Sequence, residues 1–85
     1  MTVEPTEKAK RQLKKLPKHI QAKVGKVFLH LAENPHHPAL YSRKMAGLPY
    51  YEARIDYHYR LIYQVVEDTI YVVAVGMHDT GLGKK

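Results

Sequence analysis

The sequence predicts an α+β fold in which an N-terminal helical hairpin packs on a small, mainly antiparallel β-sheet, giving two layers. Apolar residues recur at helical spacing through residues 6–33, whereas after residue 50 they alternate with polar residues or form short runs. Amphipathic helices cannot bury their apolar stripes alone, and a sheet offers them an apolar face. The chain of 85 residues suffices for one modest core, so residues 1–85 are interpreted as a single domain.

The helical hairpin is predicted from two apolar stripes and the residues that bound them. Thr6 is a suitable cap for the first helix, and Pro17 is expected to end that helix and to open the second one as its first residue. The apolar positions of the first helix lie about one turn apart: Ala9, Leu13 and Leu16. Those of the second keep the same spacing: Ile20, Val24, Val27, Phe28 and Leu31. The pair Asn34-Pro35 then stops the second helix.

The sheet is predicted mainly from the second half of the chain. Residues 1–5 are expected to supply one edge strand that Pro5 ends. Residues 36–49, with two prolines and a glycine, are predicted to form a loop. Three strands are expected after it, over residues 51–57, 59–66 and 70–75. The last of them is apolar on both faces, which is typical of a central strand.

The predicted hairpins bring a few reactive side chains to one rim of the sheet. A tight turn at Glu67-Asp68 places Arg60 opposite residues 75–77, with His78 just beyond. A turn near Tyr57 places Arg54 opposite Leu61 or its neighbour. We therefore expect Arg54, Arg60 and His78 to form one cluster, although they are well separated in the sequence.

The chain carries a clear excess of positive charge. Fourteen Lys and Arg residues oppose eight Asp and Glu residues, a formal net charge of +6, which favours an anionic partner. One face of the first helix carries four of these cations: Lys8, Arg11, Lys14 and Lys15. The absence of cysteine excludes disulfides and thiolate metal sites, and no apolar run reaches the ~18 residues of a membrane span. We expect a soluble, cytoplasmic protein that does not bind membranes.

The chemistry of the predicted cluster suits RNA cleavage. The planar guanidinium of arginine grips phosphate and stabilises charge in a phosphoryl transition state, and histidine can protonate a leaving oxygen near neutral pH. RNA supplies its own nucleophile, the 2′-hydroxyl. We therefore expect neither a cofactor nor a metal ion. The adjacent pair His36-His37 is predicted to be a solvated turn, because no further ligand is evident beside it.

Several motifs resemble the RelE/ParE toxin superfamily of bacterial and archaeal toxin–antitoxin systems. The resemblance covers nearly the whole chain and is strongest in the strand motifs YRLIYQV and VAVGMH. The motifs are LKKLP at Leu13–Pro17, LAENP at Leu31–Pro35, KMAGLP at Lys44–Pro49, YRLIYQV at Tyr59–Val65 and VAVGMH at Val73–His78. The resemblance implies a RelE-like fold and a toxin that a cognate antitoxin binds, with toxin–antitoxin hetero-oligomers acting on operator DNA.

In the RelE-like branch, the resemblance implies a ribosome-dependent, metal-independent endoribonuclease that cleaves mRNA and inhibits translation. It implies that Arg60 stabilises the scissile phosphate, that His78 is the general acid or base, and that Arg54 assists them. Lys44 matches a basic loop residue that contacts ribosomal RNA. Its neighbour Arg43 and the rim residue Tyr57 complete the expected RNA-binding set. The chain departs from many relatives because no tyrosine follows Tyr71.

Two other functions stay open at this point. One is inhibition of DNA gyrase by a ParE-like toxin without nuclease activity. The other is a catalytically weakened RelE fold that acts as an antitoxin-binding module. Glu52 replaces a lysine of RelE, and it is a candidate general base only if its side chain reaches the same rim as Arg54.

Overall fold

A mixed β-sheet and two α-helices make up the part of the chain that the computed structural model describes, residues 1–77. The helices are α1 (Glu7–Lys14) and α2 (Lys18–Glu33), followed by a 3₁₀-helix (Pro38–Leu40). The strands are β1 (Thr2–Pro5), β2 (Arg43–Lys44), β3 (Tyr51–Arg54), β4 (Tyr59–Val66) and β5 (Thr69–Met77). The strand order is β1-β5-β4-β3-β2, with β1 parallel to β5 and the other pairs antiparallel. The predicted α+β fold, with its N-terminal edge strand and central β5, is confirmed.

The helix boundaries follow from local chemistry. The side-chain oxygen of Thr6 accepts a hydrogen bond from the backbone N–H of Ala9 at 3.2 Å, as expected of an N-cap. Pro17 is the N-cap residue of α2, so this helix begins at Lys18, one residue later than predicted. At the other end, Asn34 is extended with a ψ of 114°, because the proline that follows disfavours a helical conformation there.

The core lies between the helices and one face of the sheet, and Tyr63 is its largest fully buried side chain. The Tyr63 hydroxyl donates a hydrogen bond of 2.6 Å to the carbonyl oxygen of Pro35, and its ring stacks on Tyr51 at 5.5 Å between centroids. Burial raises the pKa of Tyr63, so the hydroxyl keeps its proton and remains a donor. This bond joins β4 to the loop that leaves α2.

The long strand β5 has partners along both edges. β4 pairs with one edge, whereas β1 pairs with only the first part of the other, from Thr69 to Val72. Helix α1 covers the rest of that edge, because the side-chain carbonyl of Gln12 accepts a hydrogen bond from the backbone N–H of Val75 at 2.8 Å. A helix therefore closes an edge that would otherwise expose unpaired backbone groups.

Two sequence predictions about the second half of the chain are wrong in detail. The strand predicted over residues 51–57 ends at Arg54, because the Asp56 side chain accepts hydrogen bonds from the next backbone N–H groups and forms a turn. The predicted loop over residues 36–49 contains the 3₁₀-helix and β2. Leu40 is fully buried and anchors the 3₁₀-helix in the core, while Arg43 pairs with Glu52 on the outer edge of β3.

The second face of the sheet is not covered by the main core. Here Ile62 and Ala74 form a small apolar cluster with Met45, Tyr50 and Val73. Glu52 lies directly opposite Ile62 in the sheet, so its side chain belongs to this face, which we call the open face. Among the described residues, no helix is long and apolar enough to span a membrane.

We expect Gln12→Ala to lower the free energy of unfolding by about 1–3 kcal/mol, because the Val75 N–H, in a residue that is 1% exposed, loses its acceptor. Gln12→Glu keeps an acceptor oxygen and should lose less. Urea unfolding followed by circular dichroism measures both. Gln21→Ala is the matched control, because it removes an exposed bond to the Leu16 carbonyl. Equal losses for Gln12→Ala and Gln21→Ala would contradict this role of α1.

Candidate functional site

A cationic cavity of about 300 Å³ opens beside the outer strands of the sheet. Arg54 on β3 pairs directly with Arg60 on β4, so both side chains leave the sheet on the same side, which is the open face. Arg60 also pairs with Gly76 on β5, the register that the sequence predicts. The lining residues are Tyr41, Arg43, Glu52, Arg54 and Arg60. We call this space the arginine cavity.

The backbone holds the guanidinium of Arg60 in place. Its Nη1 donates to the carbonyl oxygens of Asp56, Tyr57 and Tyr59, at distances of 2.6, 3.1 and 3.0 Å. Within residues 1–77, Nε and Nη2 of Arg60 make no hydrogen bond, and no carboxylate forms an ion pair with the group. One part of the guanidinium is therefore anchored, while the other part can bind an anion.

The Asp56 carboxylate organises the turn that anchors Arg60. Partial burial opposes its ionisation, but hydrogen bonds from the backbone N–H groups of His58 and Tyr59 and from Lys23 outweigh this effect, so the pKa of Asp56 is lowered. The N–H groups of His58 and Tyr59 lie 2.9 and 3.1 Å from Oδ1. Lys23 belongs to helix α2, and its Nζ lies 3.5 Å from Oδ2 of Asp56. The ionised carboxylate thus fixes the carbonyl groups that hold Arg60.

Arg54 contacts an aromatic ring rather than a carboxylate. Its Cζ lies 5.1 Å from the centroid of the Tyr41 ring, within the range of a cation–π contact. No ion pair joins Arg54 to Glu52 or Asp56 in the described part of the chain. The guanidinium of Arg54 therefore keeps its charge available to the arginine cavity.

Glu52 is the single acidic group among the residues of the range 1–77 that line the arginine cavity. It accepts a hydrogen bond from Arg43 Nε at 3.3 Å, and its side chain is 14% exposed, against 75% for Arg43. Among the described lining residues, three guanidinium groups and one carboxylate leave two net positive charges. The sequence makes Glu52 a candidate general base only if its side chain reaches the same rim as Arg54. The structure meets this condition, because both residues line the arginine cavity.

Among the predicted site residues that the structure describes, Lys44 and Tyr57 do not line the arginine cavity. Lys44 Nζ donates to the carbonyl oxygen of Leu48 at 3.0 Å, and Lys44 pairs with Tyr51 in the sheet. Tyr57 is 73% exposed in the turn after β3, with its ring edge-on to His58. His78 lies outside the described residues, immediately after Met77 of β5 in the sequence.

Sequence reasoning missed Tyr41. The residue follows the 3₁₀-helix, and its φ of 47° and ψ of 42° lie in the left-handed region. Its placement depends on how Leu40 docks in the core and how Arg43 joins the sheet. Neither event leaves a periodic signal in the sequence, so only the tertiary structure shows that this ring reaches the arginine cavity.

One group of side chains has a composition that metal ions can use. His30, Glu33 and His37 place their ligand atoms within 4.8 Å of one another, so the expectation that His37 has no further ligand nearby is wrong. However, the rings of His30 and His37 pack against each other in a tilted arrangement, with centroids 4.3 Å apart. His37 Nδ1 also accepts a hydrogen bond from Ala39 N–H at 3.0 Å, which puts the proton of the neutral ring on Nε2, towards Glu33. A neutral ring that binds a metal through Nε2 carries its proton on Nδ1. Metal binding through Nε2 would therefore break the hydrogen bond from Ala39 N–H to Nδ1.

We expect Asp56→Ala to lower the free energy of unfolding by about 1–2 kcal/mol at pH 7, because two backbone N–H groups lose their acceptor. The folded-state pKa of Asp56 is depressed, so its ionisation stabilises the protein above the unfolded-state pKa of about 3.9. That contribution is lost as the pH falls through the folded-state value.

Urea unfolding between pH 3 and pH 7 measures both effects. Asp56→Asn should remove the part of the acid sensitivity that comes from this carboxylate. Asp68→Ala, in the exposed turn between β4 and β5, is the control. Asp56→Asn and wild type with the same pH dependence would contradict the assignment.

Comparisons with known proteins place this architecture in a defined group. The family model described as the ParE toxin of the type II toxin–antitoxin system parDE matches residues 3–80. No curated protein sequence matches the chain significantly. Among solved structures, the YoeB/ParE toxin from Agrobacterium tumefaciens has a TM-score of 0.80 at 15% identity, over 92% of this chain and 99% of that chain.

Two further structures are toxin–antitoxin complexes. RelBE2 from Mycobacterium tuberculosis gives a TM-score of 0.74 at 27% identity, covering 91% of this chain and 96% of that chain. The archaeal RelE–RelB complex from Pyrococcus horikoshii gives 0.78 at 22% identity, with coverages of 89% and 92%. The family match spans nearly the whole chain, and the fold agrees with these structures. The chain belongs to the ParE toxin family and is a type II toxin–antitoxin toxin of the RelE/ParE/YoeB fold.

Proposed function

We propose that this toxin is a ribosome-dependent endoribonuclease that cleaves mRNA and so inhibits translation. The observation that carries the proposal is the pairing of Arg54 with Arg60 at the arginine cavity, where the backbone anchors Arg60 and leaves Nε and Nη2 without a partner in residues 1–77. Preorganised cations aimed at a phosphate stabilise the charge that develops during phosphoryl transfer.

In the proposed reaction, the 2′-hydroxyl of the RNA attacks the adjacent phosphorus and the bond to the 5′-oxygen breaks, which leaves a 2′,3′-cyclic phosphate. Arg60 and Arg54 stabilise the charge on the phosphate oxygens. Glu52, the carboxylate that lines the arginine cavity, accepts the proton of the 2′-hydroxyl. His78 donates a proton to the departing 5′-oxygen. The protein thus supplies a base, an acid and cations, and the RNA supplies the nucleophile.

The proposed RNA contacts extend beyond the arginine cavity. Arg43 lines the cavity with a largely exposed side chain, and Lys44 and Tyr57 are exposed on neighbouring segments. The positive charges of Arg43 and Lys44 can contact phosphates without regard to sequence, so these residues would bind both the ribosomal RNA and the mRNA. The basic face of α1 adds to the net charge of +6 that attracts such a partner.

The proposed second partner is a cognate antitoxin. Several structural relatives are complexes of a toxin with its antitoxin. In this chain, a groove of about 400 Å³ on the open face is lined by apolar side chains, including Met45, Leu48 and Tyr50, and by the charged Lys8. An amphipathic segment with acidic flanks would bury its apolar side chains there and pair its charge with Lys8. Hetero-oligomers on operator DNA and a cytoplasmic location complete the proposal.

A gyrase-inhibiting toxin is the second candidate, because the family model that matches is the one for ParE. Such a toxin would act by protein–protein contact and would need no acid or base at the arginine cavity. A supercoiling assay with purified gyrase separates the two candidates. Inhibition of supercoiling together with intact mRNA on ribosomes would favour the gyrase inhibitor.

We expect Arg60→Ala to reduce mRNA cleavage by about 10²–10³-fold, because a preorganised charge is lost from the transition state. We expect His78→Ala to reduce it by about 10²-fold or more, the usual contribution of an acid or base. Primer extension on programmed ribosomes measures both, with EDTA in a parallel reaction. Lys26→Ala, on an exposed position of α2, is the control.

Cuts that survive EDTA, persist in Lys26→Ala and disappear in the two site variants would support the proposed nuclease. The absence of cleavage by the wild-type protein at high concentration would reject it. Cleavage unchanged by His78→Ala would remove this histidine from the mechanism while leaving Arg60 to be judged separately.

A further inference from the structure

Tyr41 combines two properties that are costly for a tyrosine. The residue is 70% exposed, and its backbone adopts the left-handed conformation with a φ of 47°. This conformation is uncommon for residues other than glycine, asparagine and aspartate. A strained residue persists only where the surrounding structure holds it, and such residues cluster at functional sites.

The surroundings of Tyr41 impose this conformation. Leu40 is fully buried immediately before it, and Arg43 pairs with β3 shortly after it. The Tyr41 N–H donates to the carbonyl oxygen of Pro38 at 3.2 Å and closes the 3₁₀-helix. Tyr41 therefore lies outside the core, and it lines the arginine cavity.

The ring lies among cations at the mouth of this cavity. The Arg54 guanidinium carbon is 5.1 Å from the ring centroid, and Arg43 and Arg60 line the same space. The apolar groove on the open face has a separate lining that does not include Tyr41. An exposed aromatic ring beside phosphate-binding arginines is an arrangement that binds single-stranded nucleic acid through stacking and backbone charge together.

We propose that Tyr41 is a stacking platform for a nucleobase of the RNA strand whose phosphate occupies the arginine cavity. This inference rests on the proposed function, because it assigns a base-binding subsite next to the proposed cleavage site. The tyrosine ring packs against one base, while Arg54 contacts both the ring and the adjacent phosphate. The arginine cavity then positions the backbone, and Tyr41 selects a strand whose base is unpaired and free to stack.

Two oligonucleotides of equal charge test the inference. One is a short single-stranded RNA, and the other is the same ribose-phosphate chain without bases. Fluorescence anisotropy gives the Kd of each for the full-length protein and its variants at one fixed low salt concentration. Tyr41→Gly removes the ring and also relieves the left-handed backbone, so this variant should fold at least as well as wild type. Tyr41→Phe keeps the ring.

We expect Tyr41→Gly to weaken binding of the base-containing RNA by about 10-fold, within the range for loss of one stacking contact. Binding of the abasic chain should change by less than about 2-fold, since its phosphates still meet the arginines. Tyr41→Phe should bind both chains like wild type. Arg60→Ala should weaken both equally. Tyr71→Thr, which alters an exposed tyrosine on β5 outside the arginine cavity, is the control.

The other outcomes are distinguishable. Tyr41→Gly that binds the base-containing RNA like wild type overturns the stacking role, while the Arg60→Ala result still judges the proposed function. Equal weakening for both chains also overturns stacking and makes Tyr41 a positioning residue for Arg54. A variant that loses affinity for the antitoxin, but not for RNA, assigns the ring to a protein interface. Failure of wild type to bind either chain overturns the base-binding subsite, whereas primer extension on programmed ribosomes judges the proposed ribosome-dependent nuclease separately.

Discussion

The structure depends on one constraint: the backbone N–H and C=O groups of the long strand β5 need hydrogen-bond partners on both edges. Nine residues of β5 run through the middle of the sheet, and β1 is long enough for only part of one edge. The chain must turn after Pro5 and place α1 along the remainder, where Gln12 accepts the Val75 N–H. The helical hairpin is thereby positioned over the sheet. On the other edge, β4 pairs with β5 in a register that places Arg60 opposite Gly76.

Much of this arrangement follows from signals that are local in the sequence. The turn at Glu67-Asp68 and the alternation along β4 predict the pairing of Arg60 with the end of β5, and the structure confirms it. The proximity of Arg54 and Arg60 follows from the same reasoning, since two hairpins share one strand. The elements that the sequence does not predict are held by tertiary contacts. Burial of Leu40 holds the 3₁₀-helix, and pairing with the edge of β3 holds β2. The early end of β3 depends on the Asp56 side chain, which competes with the ladder for backbone N–H groups.

The candidate site shows the same division between local and tertiary signals. Its strand residues, Arg54 and Arg60, can be found from periodicity because a strand fixes which side each residue faces. Its loop residue, Tyr41, cannot, because a left-handed tyrosine contradicts the propensity of its own type. Conflicts between local preference and global structure are expected to concentrate where function imposes a requirement. Tyr41 is the clearest such conflict at the arginine cavity.

The anchoring of Arg60 has a consequence for how this toxin tolerates sequence change. One nitrogen of the guanidinium donates hydrogen bonds to three backbone carbonyl oxygens, and the other two nitrogens make no hydrogen bond within residues 1–77. A lysine at this position would preserve the charge, yet its single ammonium nitrogen cannot serve the turn and an incoming anion with separate atoms. Under the proposed function, arginine is therefore required here for its geometry. In homologous chains, charge conservation alone would be a poor guide to whether this position is still functional.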